Sequence, residues 1–261
     1  MIGALFVAKT GLAAQDTSLS TISNNLANVS TIGFKKDRAI FEDLLYQVQR
    51  QPGAQSTQDT QLPSGLQLGT GVRTVGTQKV QTQGSLQITD GQLDMAINGR
   101  GFFQITLADG STAYTRDGQF QIDSNGLVVN SNGLALSPAI TVPANTLRIT
   151  IGENGTVQAQ QDGQSTLTTI GNIQTADFVN PAGLLAIGGN LFRETTSSGT
   201  PQTGTPGASG FGAVLQNTLE NSNVSVVEEL VNLIQTQRAF EVNSKVISNV
   251  DDTLRFLNQQ T

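Results

Sequence analysis

Apolar positions fall into two different rhythms along the chain. Near the N-terminus, Leu5, Leu12, Leu19 and Leu26 lie seven apart, and Ala8, Ile22 and Val29 follow members of that series by three. This is a heptad seam. It predicts a helix from Ile2 to about Asn28, roughly 40 Å long at 1.5 Å per residue. Gly3 and Gly11 each weaken such a helix by about 1 kcal/mol relative to Ala, so its stability must come from packing against a partner. The C-terminal end repeats the rhythm with Val226, Leu233, Phe240, Ile247 and Leu254, supported by Leu230, Val246, Val250 and Leu257. Ser225-Val226-Val227-Glu228 reads as a capping box, and Glu228 and Glu229 suit the positive end of a helix dipole. That helix is expected from Ser225 to about Asn258.

Two matching seams at opposite ends of one chain can satisfy each other as an antiparallel pair. The simpler reading is two amphipathic helices capping a globular domain. The sharper one is a terminal coiled coil that also offers a second face to other subunits. Gln237 and Ser244 sit beside the main seam, so the zipper is not wholly apolar.

Between the ends the period changes to that of strands. Asp90-Gly91, Asn98-Gly99, Asp109-Gly110, Asp117-Gly118, Asn125-Gly126, Asn132-Gly133, Asn154-Gly155 and Asp162-Gly163 are turn signals, because both residue types tolerate positive φ. Short apolar or alternating runs separate them, such as Phe102 to Leu107, Gln119 to Ile122 and Leu147 to Ile151. Strands at this spacing predict an all-β sandwich or barrel. Two low-complexity stretches join the parts: Gln47 to Gln83, rich in Gln, Thr and Gly, and Thr195 to Gly212, rich in Gly, Pro, Ser and Thr. Such composition cannot fold alone, so both are expected as extended connectors that neighbouring copies order. The fold class is α+β with discontinuous domains. Residues 1–33 and 222–261 form an antiparallel helical coiled coil, 34–83 and 195–221 are connectors, and 84–194 is a mainly antiparallel β domain.

Composition narrows the chemistry. The 261 residues include no Cys, His or Trp, and only 13% are charged, about half the usual share. Absence of Cys and His removes disulfides, thiolate nucleophiles, Cys- or His-ligated metals and a Ser-His-Asp triad. A net charge of −6 argues against nucleic acid, whose binders carry a basic stripe. The longest apolar stretch, Ile2 to Ala8, is too short for a membrane span, and no basic residue precedes it, as a cleavable signal would need.

Candidate chemistry is sparse. Gly69-Thr70-Gly71 and Gly99-Arg100-Gly101 never complete a phosphate-binding Gly-x-Gly-x-x-Gly. Asp123-Ser124-Asn125-Gly126 lacks the remaining acids of a calcium loop. Asp16, Asp37, Glu42 and Asp43 have no Trp sugar platform for a glycosidase pair. Lys35, Lys36 and Arg38 read as a solvated basic face balanced by Asp37, Glu42 and Asp43. No catalytic, cofactor or metal residue is assigned.

The informative motif is Ser23-Asn24-Asn25-Leu26-Ala27-Asn28-Val29-Ser30-Thr31-Ile32-Gly33-Phe34-Lys35-Lys36. Asn28 can end a helix, Gly33 permits a sharp turn, and Phe34 can anchor the departing chain. The stretch resembles the N-terminal signature of bacterial flagellar rod and hook axial proteins, carried by Asn24, Asn25, Ala27, Asn28, Thr31, Gly33, Phe34 and Lys35. Gln237, Arg238, Ala239, Asn243 and Lys245 are similar to the same family's C-terminal helix. Arg38 to Gln47, Gln51 to Gln55, Leu62 to Arg73, Gly99 to Phe103 and Ala113 to Gly118 look like its distal-rod branch. Gln216-Asn217-Thr218 and Thr253 depart from the pattern without touching the seam.

The resemblance implies a non-enzymatic, cofactor-free subunit, exported by the flagellar type III machinery without signal cleavage. Copies would stack helically into a hollow tube that crosses the periplasm in the basal body. The implied partners are other copies, proximal rod proteins, hook or hook-junction subunits and surrounding ring proteins. The segment from about Gln47 to Arg73 is implied to make a rod straight and stiff. Assembly contacts are expected at Leu5, Leu12, Leu19, Ile22, Leu26, Val226, Leu230, Leu233, Phe240, Ile247 and Leu254. A proximal rod or hook subunit is the alternative, and a β-rich adhesin or tail-tube protein a more remote one.

Overall fold

In the computed structural model, residues 2–53, 55–57, 60–61, 63–163 and 166–259 are described, with the side chains at 2, 55–57, 60–61, 254 and 257–259 left aside. The chain divides into two compact units. One, the helical unit, comprises residues 1–27, 37–78 and 225–261; the other, the β unit, comprises 28–36 and 79–224.

The helical unit is built on α1 (Ile2–Ala27) and α2 (Val226–Gln259), which pack together. Gly11 of α1 lies against Asn243 of α2, where an added Cβ would stand 3.1 Å from the amide nitrogen. Ala8 and Val246 line one groove, so residue numbers rise on one helix as they fall on the other and the pair is antiparallel. Gly11 therefore exchanges intrinsic helix stability for close approach to α2.

Between residues 37 and 79 the described strands pair two by two rather than forming an unstructured connector. Asp37–Asp43 pairs with Val72–Lys79, Gln47–Arg50 with Leu66–Leu68, and Gln55–Thr57 with Thr60–Gln61. The first pair rests on α1 where the Thr10 hydroxyl accepts from the Val72 amide at 3.4 Å. Gly71, at φ +122°, passes so close to Thr10 that any Cβ would collide with its hydroxyl. Backbone pairing satisfies this polar sequence without a core; the side chains of 47–50 and 66–68 are all exposed.

In the β unit the largest sheet has seven strands. Its path runs Leu185–Gly188, Leu191–Arg193, Thr112–Thr115, Phe102–Thr106, Thr175–Asp177, Gln202–Gly204, with Leu136–Ser137 also on Phe102–Thr106. Alternation sends Phe103, Ile105, Ala113 and Leu191 into the main core with Phe120, Ile140 and Val214. The opposite face carries Phe102, Tyr114, Ala176 and Phe192. There Tyr114 and Phe178 meet edge-to-face at 4.8 Å, and Phe102 meets Phe178 and Phe192 at 6.0 Å. Both faces of the sheet's central strands are thus covered within the unit, while its edge strand Leu185–Gly188 stays exposed.

Five of the eight turn signals close hairpins or a tight reversal, at Gly110, Gly126, Gly133, Gly155 and Gly163. The other three, at Gly91, Gly99 and Gly118, join strands that do not pair. Gly118 is needed for close passage, because a Cβ there would overlap the Met95 carbonyl. The Gly/Pro/Ser/Thr stretch from Thr195 is ordered too: Gln202–Gly204 adds the edge strand beside Thr175–Asp177, and Ser198 is fully buried. Among the described residues no helix is long and apolar enough to cross a membrane.

Candidate assembly site

Just after α1, the signature motif turns and enters the β unit. The Thr31 hydroxyl donates to the Asn28 side chain at 3.2 Å. Gly33 adopts φ +70°, and an added Cβ would stand 2.6 Å from the Asp117 nitrogen. Both the conformation and the space demand glycine. The Gly33 amide donates to the Glu220 carbonyl at 2.7 Å, and the Asn223 amide to the Phe34 carbonyl at 3.4 Å. The incoming and outgoing passes of the chain are therefore bonded to each other. Lys79 stands 5.2 Å above the Phe34 ring.

Lys35 is not the solvated cation expected from its cluster with Lys36 and Arg38. It is 1% exposed, and its ammonium donates to the Glu220 carboxylate at 2.5 Å and to the Thr82 carbonyl at 2.8 Å. Glu220, fully buried, also accepts from the Gly84 amide at 2.9 Å and from Arg116 at 3.3 Å. Arg116 in turn donates to the carbonyls of Ile97 and Gly99, at 3.3 and 2.7 Å, and lies 5.2 Å from the Phe102 ring. One carboxylate thus holds two cations, and backbone carbonyls take further donors of both, while the Arg116 Nε stays buried without a partner. Burial pulls the pKa values of Lys35 and Arg116 down, while Glu220 opposes the shift in both. Lys36 is bound through its backbone: its amide donates to the Asn223 side chain at 2.7 Å, whose nitrogen donates to the Val80 and Thr82 carbonyls.

Arg116, Glu220 and Asn223 were missed as site residues. A signal existed for one of them. Between Glu194 and Glu228, Glu220 is the only charged side chain, and a lone charge in a long uncharged stretch is suited to a buried partner.

In the helical unit, Asn25 is 2% exposed. Its amide donates to the Asp37 carbonyl at 2.9 Å and accepts from the Asp37 amide at 2.8 Å, pairing with the departing strand as a neighbouring backbone would. Asn24 and Ala27 lie on the exposed side of α1. Along the seam Ile22 is buried, and Leu5, Leu12, Leu19 and Leu26 are half-buried.

On α2 the structure places the expected seam differently. Leu233 and Ile247 are half-buried, but Val226, Leu230 and Phe240 remain 41%, 43% and 38% exposed. Leu254 lies on the helix with its side chain outside the described residues. The covered stripe instead runs through Glu229, Thr236, Asn243 and Val250, with Asn232, Ala239 and Ile247 beside it. The physical reason is space: Gly11 meets Asn243, so small and polar side chains take the close approach and several large apolar ones are turned outward. Gln237, Arg238 and Lys245 are exposed, whereas Ala239 and Asn243 are half-buried. Among the described residues no group of three acids is placed to hold a metal ion.

Three family models match the chain: the flagellar basal-body rod protein model over residues 5–35, the flagellar hook protein FlgE/F/G D1 domain over 96–159, and the C-terminal model of the flagellar basal-body rod FlgEFG proteins over 215–260. The flagellar basal-body rod protein FlgG of Buchnera aphidicola subsp. Schizaphis graminum is 53% identical, across 99% of this chain and 100% of that protein. The FlgG of Caulobacter vibrioides is 46% identical across 98% of both chains. FlgF of the same organism is 34% identical at similar coverage. With signature turn, terminal helices and β unit all matched, the chain belongs to the flagellar basal-body rod family, with FlgG relatives along its whole length.

Proposed function

We propose that the chain is the structural subunit of the distal rod, the drive shaft that carries torque to the hook. Copies self-assemble helically into a hollow tube. The reading is supported above all by full-length similarity to FlgG proteins, at 53% and 46% identity against 34% for FlgF. A proximal rod or hook subunit has no observation in its favour. The subunit performs no catalysis. Its partners are proximal rod proteins, hook or hook-junction subunits and the surrounding rings. It reaches its place across the periplasm through the type III export apparatus with its N-terminus uncleaved.

The apolar residues that α2 turns outward support this role, because they need a covering surface. The segment from Gln47 to Arg73, whose strands Gln47–Arg50 and Leu66–Leu68 are exposed, is suited to stiffen the polymer, since an isolated two-stranded ribbon gains stability when neighbours cover it. Electron microscopy of purified protein tests the reading. Wild type forms straight hollow tubes, and Phe240→Asp, which places a charge in the seam beside Leu233 and Ile247, stays unassembled with an intact β unit. Normal tubes from Phe240→Asp, or none from wild type, would overturn it.

A further inference from the structure

Two apolar surfaces of the helical unit lie apart from each other and differ in shape. The first is a ridge at the start of α2. Val227, Leu230, Val231 and Ile234 are 73%, 43%, 47% and 48% exposed. They fall at i, i+3, i+4 and i+7, the anchor spacing with which a helix enters a groove. At 3.6 residues per turn they lie on the side of α2 opposite the stripe through Asn243. Arg238, Glu241 and Lys245 continue that side and end the ridge.

The second surface is a groove of about 740 Å³ at the other end of the pair. Phe6, Val7, Leu68 and Val246 line it, and each keeps between 39% and 52% of its surface exposed. Lys9, one helical turn from Phe6, is exposed beside it, and the acidic Glu228 borders the ridge. Both surfaces are thus apolar, one a ridge and one a groove, and Glu228 beside the ridge is opposite in charge to Lys9 beside the groove. They cannot meet within one chain: Val231 and Val246 are about 22 Å apart along α2 at 1.5 Å per residue.

We propose that the ridge of one copy seats in the groove of the next. The proposal rests on the self-assembling role argued above and names its contact. Because two different surfaces meet, the contact is heterologous, and repeating it adds copies without closing a pair.

The absence of cysteine from the chain gives a clean test. Full-length protein carrying both Val7→Cys and Val231→Cys is allowed to assemble and is oxidised mildly. Non-reducing electrophoresis then shows a ladder of dimer, trimer and higher species, while either single variant stops at monomer or dimer. In a second arm, Phe6→Asp and Ile234→Asp are each unassembled alone but form a one-to-one dimer when mixed, since one intact ridge still meets one intact groove. Circular dichroism confirms that all variants keep wild-type helix content. Tubes that form normally but yield no ladder overturn this contact and leave the rod role standing. Failure of wild type to form tubes would count against the role itself. A mixture that stays monomeric also overturns the contact.

Discussion

The two units manage their apolar surface in opposite ways. The β unit encloses a continuous core: Phe103, Ile105 and Ala113 are 0% exposed, and Phe178 and Phe192 cover the second face of the same strands, while Ile88, Leu147 and Val179 stay on its surface. Even its central charges are paired inside. The helical unit leaves much of its apolar surface outside. Ala8, Ala14 and Ile22 are its buried apolar side chains in α1, and the one buried side chain described in α2 is Glu229. The difference teaches a division of labour. One unit has a closed core within the chain, whereas the other leaves apolar helix faces that the proposed contact between copies would cover. A helix covered on one stripe has little intrinsic reserve, since most helical stability comes from packing.

The sharpest way to break this comparison is to remove one large apolar side chain from each unit. Phe103→Ala empties a core position that packs edge-to-face on Phe120 at 5.4 Å, and is expected to cost about 4 kcal/mol. Val231→Ala in the unassembled chain is expected to stay within about 0.5 kcal/mol, as for other surface changes. Urea titration of monomeric protein measures both. Equal losses would mean that the helical unit is as closed as the β unit.

Next in size is the buried ionic cluster. Glu220→Gln leaves Lys35 and Arg116 without their shared carboxylate, and is expected to cost about 3 kcal/mol. The double variant Lys35→Met/Glu220→Gln removes one stranded charge and should recover more than about 1 kcal/mol of that loss. Strict additivity of the two changes would show that the cluster does not act as a unit. Its placement matters to the comparison, because it ties the signature turn to the outgoing chain inside the closed unit.

Periodicity made α1 and α2 legible to within a residue or two, because a seven-residue repeat survives whatever covers it. The same repeat did not reveal which stripe faces which helix. That depends on Gly11 admitting Asn243, a fit between residues more than two hundred positions apart. Turn dipeptides marked hairpins where the flanking strands pair locally. They misled at Gly118, where glycine serves passage past Met95. The strand pairs between 37 and 79 were hidden for a different reason: backbone pairing holds them, and side-chain composition carries little trace of that. Lys35 shows the limit most plainly. Beside Lys36 and Arg38 it has the pattern of a solvated patch, and its burial is set by Glu220, 185 positions away.

A smaller effect sharpens the comparison at the base of α1. Asn25→Ala removes both hydrogen bonds to the Asp37 backbone and leaves its amide and carbonyl without those partners. The expected loss is about 1–2 kcal/mol, seen as faster amide exchange at Asp37 and a lower thermal midpoint. Unchanged exchange there would mean that solvent replaces the asparagine and that the helix-to-strand joint is open.

The smallest expected effect tests how completely the β unit excludes water near the signature turn. Asp117 lies against Gly33, and burial raises its pKa above 3.8; Asp94 adds to the rise, while hydrogen bonds from Gln119 and Asn190 oppose it. A carboxyl whose folded pKa is raised holds its proton more tightly in the folded chain than in the unfolded one. Its contribution is therefore greatest below 3.8, and it declines as pH climbs through the folded value. An asparagine side chain at this position does not titrate and can still accept from the Gln119 amide. Asp117→Asn is thus expected to gain on wild type as pH rises from 3 to 7, with the two nearest in stability at the acidic end. Urea midpoints at pH 3, 5 and 7 measure the gap. A gap that ignores pH, or that shrinks toward neutrality, would mean that water reaches Asp117 and that the closed unit is less closed there than its core.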